Sequence, residues 1–202
     1  MNTRHIVLAG DSIFDNDGYV IGESGVIEQL RASVPSGWSA SKVAVDGDCI
    51  HHVAGQIENL PSNATDLIVS VGGNDVRQYS KLLDDLQSGR NMNDLLGGPL
   101  ADFRRAYRDM LEVINKTKLS IHVCTIYTAV PFTDPVWRQY VPNVLRRFNN
   151  VIVEEAGRDN IPVLRLETVC VLDSDFAECS PIEPSSQGGQ KIVDHIIEKL
   201  QQ

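Results

Sequence analysis

The sequence predicts a three-layer α/β/α domain in which helices cover both faces of a parallel sheet of about five strands. Short apolar runs alternate with helical patterns, as in parallel βαβ units. The runs are apolar at nearly every position, not at alternate ones, which indicates strands buried on both faces. The 202 residues show no repeat, low-complexity segment or linker, so we expect one domain spanning 1–202.

Five apolar runs are the predicted strands. They cover residues 5–9, 42–45, 67–71, 121–126 and 162–166. Each of the first three is followed by a turn of small polar residues and glycine. In a parallel sheet the carboxyl ends of the strands form the edge at which ligands bind, so these turns should lie together at a binding site.

Three helices are predicted from apolar residues spaced three and four apart. The first covers 100–116, the second contains 144–152, and the third follows Ser185, which is a typical N-cap residue. Their predicted buried residues are Phe103, Tyr107, Met110, Leu111 and Ile114 in the first, Val144, Phe148, Val151 and Ile152 in the second, and Ile192, Val193, Ile196, Ile197 and Leu200 in the third.

The composition limits the possible partners. The formal net charge is −9, whereas a nucleic-acid-binding protein is normally basic, so we expect no nucleic acid partner. The same sign disfavours docking on an anionic membrane, and no apolar run is long enough for membrane insertion. Because no cationic leader precedes an apolar stretch, we expect a cytoplasmic protein. The oligomeric state stays open.

Cysteine spacing gives no sign of a metal site. The four cysteines have no CxxC pair and no histidine partner at zinc spacing. A domain of this size does not need disulfides, so buried reduced thiols are the expectation. They are Cys49, Cys124, Cys170 and Cys179. We expect neither a metal nor a cofactor.

The three turns after the first strands carry the candidate chemistry. Taken singly, Ser12 is typical of a helix cap, Gly47 of a turn, and Asn74 of a left-handed turn position. Taken together, they supply one hydroxyl nucleophile, one glycine N–H that a ligand can approach closely, and one uncharged amide donor. Acyl transfer needs such a nucleophile and such donors, which stabilise the oxyanion.

Four segments carry a family resemblance: GDSIFDN at 10–16, VDG at 45–47, GGND at 72–75 and PIEPSSQGGQKI at 181–192. They resemble the blocks of the SGNH hydrolases, the GDSL-like esterases and lipases, in the same order and over essentially the whole chain. The resemblance implies a flavodoxin-like sheet of five parallel strands and metal-free hydrolysis of esters or thioesters. It also implies that Ser12 is the nucleophile and that the Ser12 N–H, the Gly47 N–H and the Asn74 amide form the oxyanion hole.

The sequence departs from this family in its last block. Family members carry a DxxH motif there, whose histidine is the general base and whose aspartate orients it. Here Ser180 stands at the aspartate position and Glu183 at the histidine position. Of the five histidines, His5 and His122 fall in predicted strands and His195 lies about three turns into the last helix. His51 and His52 follow the glycine block, where a solvated helix start and a place near the site are both open.

Glu183 is therefore the candidate base. A carboxylate is a weak base at its usual pKa of about 4.3, but burial can raise this value. The alternative is an acid that stabilises the dipole of the last helix. Asp175 is a candidate for the missing orienting acid, and Asp11 and Asp75 are polar loop residues able to orient neighbours. The segment 127–138, rich in aromatic residues and prolines, is either an apolar wall of an acyl pocket or an ordinary packed loop.

The leading hypothesis is a serine hydrolase of small or medium acyl esters or thioesters. Two alternatives stay open at this stage. One is an SGNH-fold protein that binds a ligand with weak or no turnover, which is motivated by the missing histidine. The other is a carbohydrate O-acetyl esterase, a common role in the resembling family.

Overall fold

A five-stranded parallel sheet forms the middle layer of the protein, as seen in a computed structural model that describes residues 3–202. The strand order is β2-β1-β3-β4-β5. The strands are β1 (Arg4–Gly10), β2 (Trp38–Lys42), β3 (Asp66–Ser70), β4 (Ser120–Cys124) and β5 (Val163–Leu164). The predicted fold class, a three-layer sandwich around five parallel strands, is confirmed.

Seven α-helices surround the sheet among residues 3–202. They are α1 (Val26–Ser33), α2 (Val53–Ile57), α3 (Gly73–Arg77), α4 (Leu82–Gln87), α5 (Met92–Asn115), α6 (Pro135–Arg158) and α7 (Ser186–Leu200). Short 3₁₀ helices occur at Asp17–Tyr19, Ile50–His52, Leu166–Thr168 and Asp173–Asp175. No helix in the described range is both long and apolar enough to cross a membrane.

Two hydrophobic cores lie on opposite faces of the sheet. Along β1, Val7 and Ala9 join the core that contains α5 and α6, whereas Ile6 and Leu8 join the core that contains α1 and α7. This alternation follows from the two-residue period of a strand. Both faces are apolar because both are covered by helices, as the sequence pattern predicts.

The second strand differs from its prediction. The apolar run 42–45 was expected to form it, but β2 ends at Lys42. Val43 and Ala44 both donate their N–H to the Leu8 carbonyl (2.8 and 3.1 Å), so the regular ladder stops there. β2 is an edge strand with only β1 as neighbour, and its half-buried, polar sequence lacks the apolar run by which a central strand is recognised.

Helix α5 begins eight residues earlier than predicted. The predicted helix starts at residue 100, and the segment before it, Gly-Gly-Pro at 97–99, disfavours a helix interior. Instead α5 begins after Asn91, whose side chain accepts the Asn93 N–H at 2.8 Å, and continues through Pro99. Leu95 and Leu96 are buried in this first part, and their packing offsets the poor local propensity.

The last helix begins where the sequence predicts. Ser185 caps α7, and its hydroxyl accepts the Gly188 N–H at 3.1 Å. A two-stranded antiparallel ribbon, β6 (Phe176–Ala177) and β7 (Ser180–Pro184), precedes the cap and was not predicted. Glu183 lies in β7, two residues before the Ser185 cap and outside the first turn of α7.

The cysteines only partly match their prediction. All four are free thiols, and Cys124 and Cys170 are buried, as expected. Cys179 is exposed and Cys49 is half-buried, because both lie in connecting segments outside the two cores.

Candidate active site

The carboxyl ends of the strands border a cavity of about 320 Å³. Ser12, which follows β1, Asn74, in the first turn of α3, and Glu183, in β7, all line it. Gly47 does not line this cavity, although it lies next to Asp48, whose carbonyl oxygen accepts a hydrogen bond from Asn74. The structure therefore brings three of the four predicted site residues to one cavity and holds the fourth nearby.

Glu183 faces the predicted nucleophile. The Ser12 hydroxyl donates to Glu183 Oε1 at 3.2 Å, and the Ser180 hydroxyl donates to Glu183 Oε2. Ser12 is 7% exposed and Glu183 is 4% exposed, so the carboxylate meets its partners away from bulk water. One carboxylate thus accepts two serine hydroxyls, one on each oxygen.

Burial makes this carboxylate more basic than usual. Desolvation raises the pKa of Glu183, because it disfavours the charged form. The hydrogen bonds from Ser180 and Ser12 stabilise the charged form and offset part of that effect. The net direction is upward, which moves Glu183 toward the range in which a carboxylate acts as a general base.

Two buried side chains fix the backbone on either side of Glu183. The Tyr127 hydroxyl donates to the Ile182 carbonyl, and Asn16 Nδ2 donates to the Pro184 carbonyl at 3.1 Å. Asn16 Oδ1 also accepts the N–H of Val26 at 2.9 Å, which ties the start of α1 to the same point. The role of Asn16 was not predicted from the sequence, although the residue closes the GDSIFDN segment.

The amide of Asn74 has a defined orientation. Its Nδ2 donates to the Asp48 carbonyl at 3.0 Å, while its Oδ1 accepts from Arg77 Nη1 at 3.4 Å. A carbonyl partner identifies the NH₂ side and a guanidinium partner the oxygen side. Since an amide nitrogen carries two hydrogens, one remains available to a ligand in the cavity.

Gly47 occupies a turn that favours glycine. Its φ of +82° lies in the left-handed region, and an added Cβ would meet no atom within 4 Å, so backbone conformation is what favours glycine there. The Asp48 N–H closes the turn onto the Val45 carbonyl at 3.2 Å. Within residues 3–202, neither the Gly47 N–H nor the Ser12 N–H donates a hydrogen bond.

Gln56 links the first two polar turns. From α2, its Oε1 accepts the Gly10 N–H, and its Nε2 donates to the Gly10 carbonyl and to Asp48 Oδ2, each at 2.7 Å. Gln56 is buried and clamps the end of β1 against the glycine turn. Its role was not predicted, because a single glutamine in a short helix forms no recognisable sequence motif.

Asp11 and Asp75 hold backbone groups beside the cavity, in line with the orienting role considered for them. Asp11 Oδ1 accepts the Ile13 N–H at 3.2 Å, and Asp75 Oδ2 accepts the Ile50 N–H at 3.1 Å. Burial raises the pKa of Asp11 to about 8, and the negative charges of Asp75 and Glu183 act in the same direction. Burial also raises the pKa of Asp75.

Asp175 is not the orienting acid. Its Oδ1 receives the Lys191 ammonium at 2.6 Å, and its Oδ2 accepts the N–H groups of Val171 and Leu172 at 2.9 and 3.0 Å. Burial acts to raise the pKa of Asp175, but the bond from Lys191 and the two backbone bonds outweigh it and lower the pKa. The partner of Glu183 is instead Ser180.

None of the five histidines, all within the described range, lines the cavity. His51 and His52 are exposed, and His52 Nδ1 accepts the Cys49 N–H at 2.9 Å. His122 is buried, as predicted, whereas His5 is only half-buried and its ring lies 2.8 Å from the hydroxyls of both Ser39 and Ser41. His5 borders the edge strand, which is why it escapes the core.

The segment 127–138 lines the cavity, as one of its two interpretations predicts. Tyr127, Val130, Phe132 and Trp137 all contribute to the lining. The last part of the segment is the start of α6, capped by Asp134, whose side chain accepts the Val136 N–H at 2.8 Å. Residues 3–202 contain no cluster of three or more histidine, cysteine or acidic side chains able to hold a metal ion.

No protein-family model and no curated protein matches the sequence significantly. Solved structures do match it over nearly the whole chain. A lipolytic protein of the G-D-S-L family from Veillonella parvula superimposes with a TM-score of 0.72 at 18% identity, covering 99% of this chain and 100% of its own.

Two further structures are equally similar in extent. A lipase from a goat rumen metagenome gives a TM-score of 0.71 at 16% identity, with 96% of each chain covered. An acetyl xylan esterase gives 0.70 at 15% identity, covering 97% of this chain and 99% of its own. At sequence identities this low, the superpositions establish shared architecture and no more. We conclude that the chain has the SGNH hydrolase fold of the GDSL lipolytic proteins.

Proposed function

We propose that the protein is a serine hydrolase of small or medium acyl esters or thioesters that acts through an acyl-enzyme on Ser12. The observation that carries the proposal is the 3.2 Å hydrogen bond from the Ser12 hydroxyl to a buried Glu183, at the polar end of an otherwise largely apolar cavity. Structures with the same fold include lipases and an acetyl xylan esterase, which supports ester hydrolysis as the reaction.

In the proposed first half-reaction, Glu183 accepts the proton of the Ser12 hydroxyl while Ser12 Oγ bonds to the carbonyl carbon of the substrate. The carbonyl π electrons move onto oxygen and form an oxyanion. Collapse of this intermediate breaks the bond to the alcohol or thiol, which leaves with the proton held by Glu183. In the second half, Glu183 deprotonates a water that attacks the acyl-enzyme, and the acid is released as Ser12 recovers its proton.

The oxyanion would be stabilised by three donors: the Ser12 N–H, the Gly47 N–H and the Asn74 amide. The two backbone N–H groups have no other acceptor in the described chain, and the Asn74 amide retains one free hydrogen. Donors without competing partners need no rearrangement when negative charge develops. The net charge of −9 supports a small-molecule substrate and argues against nucleic acid.

A second candidate function is ligand binding with weak or no turnover. It is favoured by the cavity wall, which lacks the imidazole that would normally deprotonate a serine. The third candidate, a carbohydrate O-acetyl esterase, is supported by the similarity to an acetyl xylan esterase. We place both below the acyl hydrolase, because Glu183 occupies the position of a base and most of the cavity lining is apolar.

Labelling with a fluorophosphonate tests the proposal directly. We expect stoichiometric phosphonylation of Ser12, identified by peptide mass spectrometry, and parallel loss of p-nitrophenyl ester hydrolysis. Ser12→Ala should abolish both, whereas Ser174→Ala, at an exposed serine outside the cavity, should preserve both. Labelling that persists in Ser12→Ala would reject Ser12 as the nucleophile, and ligand binding without any labelling would favour the second candidate.

A further inference from the structure

The cavity extends from Ser12 into a space enclosed by three helices. Eight side chains from α4, α5 and α6 line this part, and all are apolar. Leu83 and Leu86 come from α4, Leu96 from the start of α5, and Val144 and Leu145 from α6, and each is less than a tenth exposed. Apart from tyrosines, the polar lining residues lie outside these three helices: Asp11, Ser12, Ser70 and Thr125 at or just after the ends of β1, β3 and β4, Asn74 and Arg77 in α3 with Ser80 following it, and Ser180 and Glu183 in β7.

The length of this apolar part follows from α6. Lining residues run from Trp137 to Leu145, and eight steps of ~1.5 Å along a helix span roughly 12 Å. Because a C–C bond is ~1.5 Å long, an extended alkyl chain advances by ~1.25 Å per carbon. A length of ~12 Å therefore accommodates about ten carbons. A cavity of about 320 Å³ is at the small end of the range for ligand pockets, which suits one slender chain.

The lining also selects the chemistry of the occupant. A sugar placed among leucine and valine side chains would lose its hydrogen bonds to water without gaining others. A saturated chain has no such groups and gains from leaving water. The polar end holds the nucleophile and its predicted oxyanion donors, so a chain that carries its carbonyl at one end matches the cavity from end to end.

We propose that the apolar part of the cavity is the acyl site, and that it takes a linear saturated acyl chain of about eight to ten carbons. This inference rests on the proposed function for the direction of the chain, with the carbonyl at Ser12. It deepens that function by assigning the cavity to the acyl part of the substrate and by excluding acetyl esters as the preferred class.

The first experiment measures kcat/KM for p-nitrophenyl esters from acetate to palmitate. We expect a rise of at least about tenfold from butanoate to an optimum at octanoate or decanoate, and a fall at palmitate. Leu96→Phe fills the cavity and should move the optimum to shorter chains. Leu100→Phe, one turn along the same helix and outside the lining, is the matched control and should leave it unchanged.

A pair of isomeric esters tests the direction of the chain. Ethyl decanoate places the long chain on the acyl side and decyl acetate places it on the alcohol side. We expect kcat/KM to favour ethyl decanoate by at least about tenfold. The reverse preference would assign the cavity to the alcohol and overturn the proposal.

The last experiment separates this inference from hydrolysis itself. Of the two tryptophans, Trp137 lines the cavity, whereas Trp38, on β2, lies against Arg4. Trp38→Phe therefore leaves Trp137 as the single tryptophan reporter. In Ser12→Ala with Trp38→Phe, neutral methyl ketones should change the Trp137 emission, with affinity increasing from 2-butanone to 2-dodecanone. Chain-dependent binding without hydrolysis would support the acyl site and reject the proposed function. Hydrolysis with a kcat/KM that does not depend on acyl chain length, together with no ketone binding, would support the proposed function and reject the acyl site.

Discussion

Glu183 is the proposed general base, at the position where the resembling family carries a histidine. Its two oxygens each accept a serine hydroxyl, and burial raises its pKa. We expect Glu183→Gln to lower kcat by about 10²–10⁴-fold, the usual contribution of a general base, because the amide retains the shape but cannot accept the proton. Steady-state kinetics with p-nitrophenyl octanoate measures this. Wild-type rates in Glu183→Gln, with loss of activity in His51→Ala or His52→Ala, would move the base to the glycine turn.

The pH dependence tests the role of Ser180. In the proposed mechanism the charged form of Glu183 is the base, so kcat/KM should rise with pH through the raised pKa of Glu183 and then level off. The Ser180 hydroxyl stabilises that charged form and holds the pKa down. Ser180→Ala should therefore shift the midpoint of the profile to higher pH, while Ser174→Ala should not. An unchanged midpoint in Ser180→Ala would make Ser180 a structural residue only.

Asn74 is the most accessible test of the oxyanion donors, since its side chain can be removed. We expect Asn74→Ala to lower kcat by about 10²–10³-fold with little change in KM, because the missing donor acts on charge that develops in the transition state. Kinetics of Asn74→Ala and of the isosteric Asn74→Asp, with circular dichroism as a folding control, measure this. An effect confined to KM would assign Asn74 to ground-state binding.

At the scale of elements, the strands with an apolar run were predictable, including β5 at one edge of the sheet, whereas β2 and the two-stranded ribbon were not. The centres of β1 (6–9) and β3 (67–69) are apolar and buried on both faces, and both strands end at recognisable turns. β2 pairs only with β1, and β6 and β7 pair only with each other. Their sequences contain no long apolar run from which a strand could be predicted. The position of Glu183 in the last motif indicated it as a candidate base. Its location in β7 could not be predicted, because the ribbon itself was not.

The clamp formed by Gln56 connects α2 with two elements of the site. Gln56→Leu would leave the Gly10 N–H and one Asp48 oxygen without partners. The Gly10 carbonyl would keep only its bond from the Val45 N–H. Each buried group left unsatisfied costs roughly 1–3 kcal/mol, so we expect a lower melting temperature together with a lower kcat and a nearly unchanged KM. Gln78→Leu, at an exposed glutamine after α3, is the control. Equal kcat in the wild type and Gln56→Leu would show that the turns hold their geometry without the clamp.

At the scale of the whole molecule, the sequence predicts the layers, because apolar residues are spaced differently in helices and in buried strands. It does not predict the cavity, whose lining combines α4, the start of α5 and α6 with the strand ends. Leu86, Leu96 and Val144 have the same hydrophobic pattern as the core residues that surround them. Only the packing of the helices distinguishes a residue that borders a cavity from one that fills the core.

The buried carboxyl groups near Ser12 should make the stability of the whole protein depend on pH. Asp11 has a pKa of about 8 in the folded state, first because of burial and then because of Asp75 and Glu183. In the unfolded chain an aspartate has a pKa of about 3.9. Between these values the folded state holds a proton that the unfolded state has released, so the free energy of unfolding falls as pH rises and levels off above pH ~8.

Asp11→Asn should remove this part of the pH dependence, because an amide resembles the protonated acid and its oxygen can still accept the Ile13 N–H. The stability of the variant relative to wild type should increase by about 1 kcal/mol for each pH unit between pH ~5 and ~8, or roughly 2–4 °C in melting temperature. Thermal denaturation across this range measures it. Asp109→Asn, at an exposed position of α5, is the control and should run parallel to the wild type. If Asp11→Asn also runs parallel, Asp11 is ionised in the folded protein, and the carboxylates beside Ser12 share a pocket with more water or more positive charge than their burial indicates.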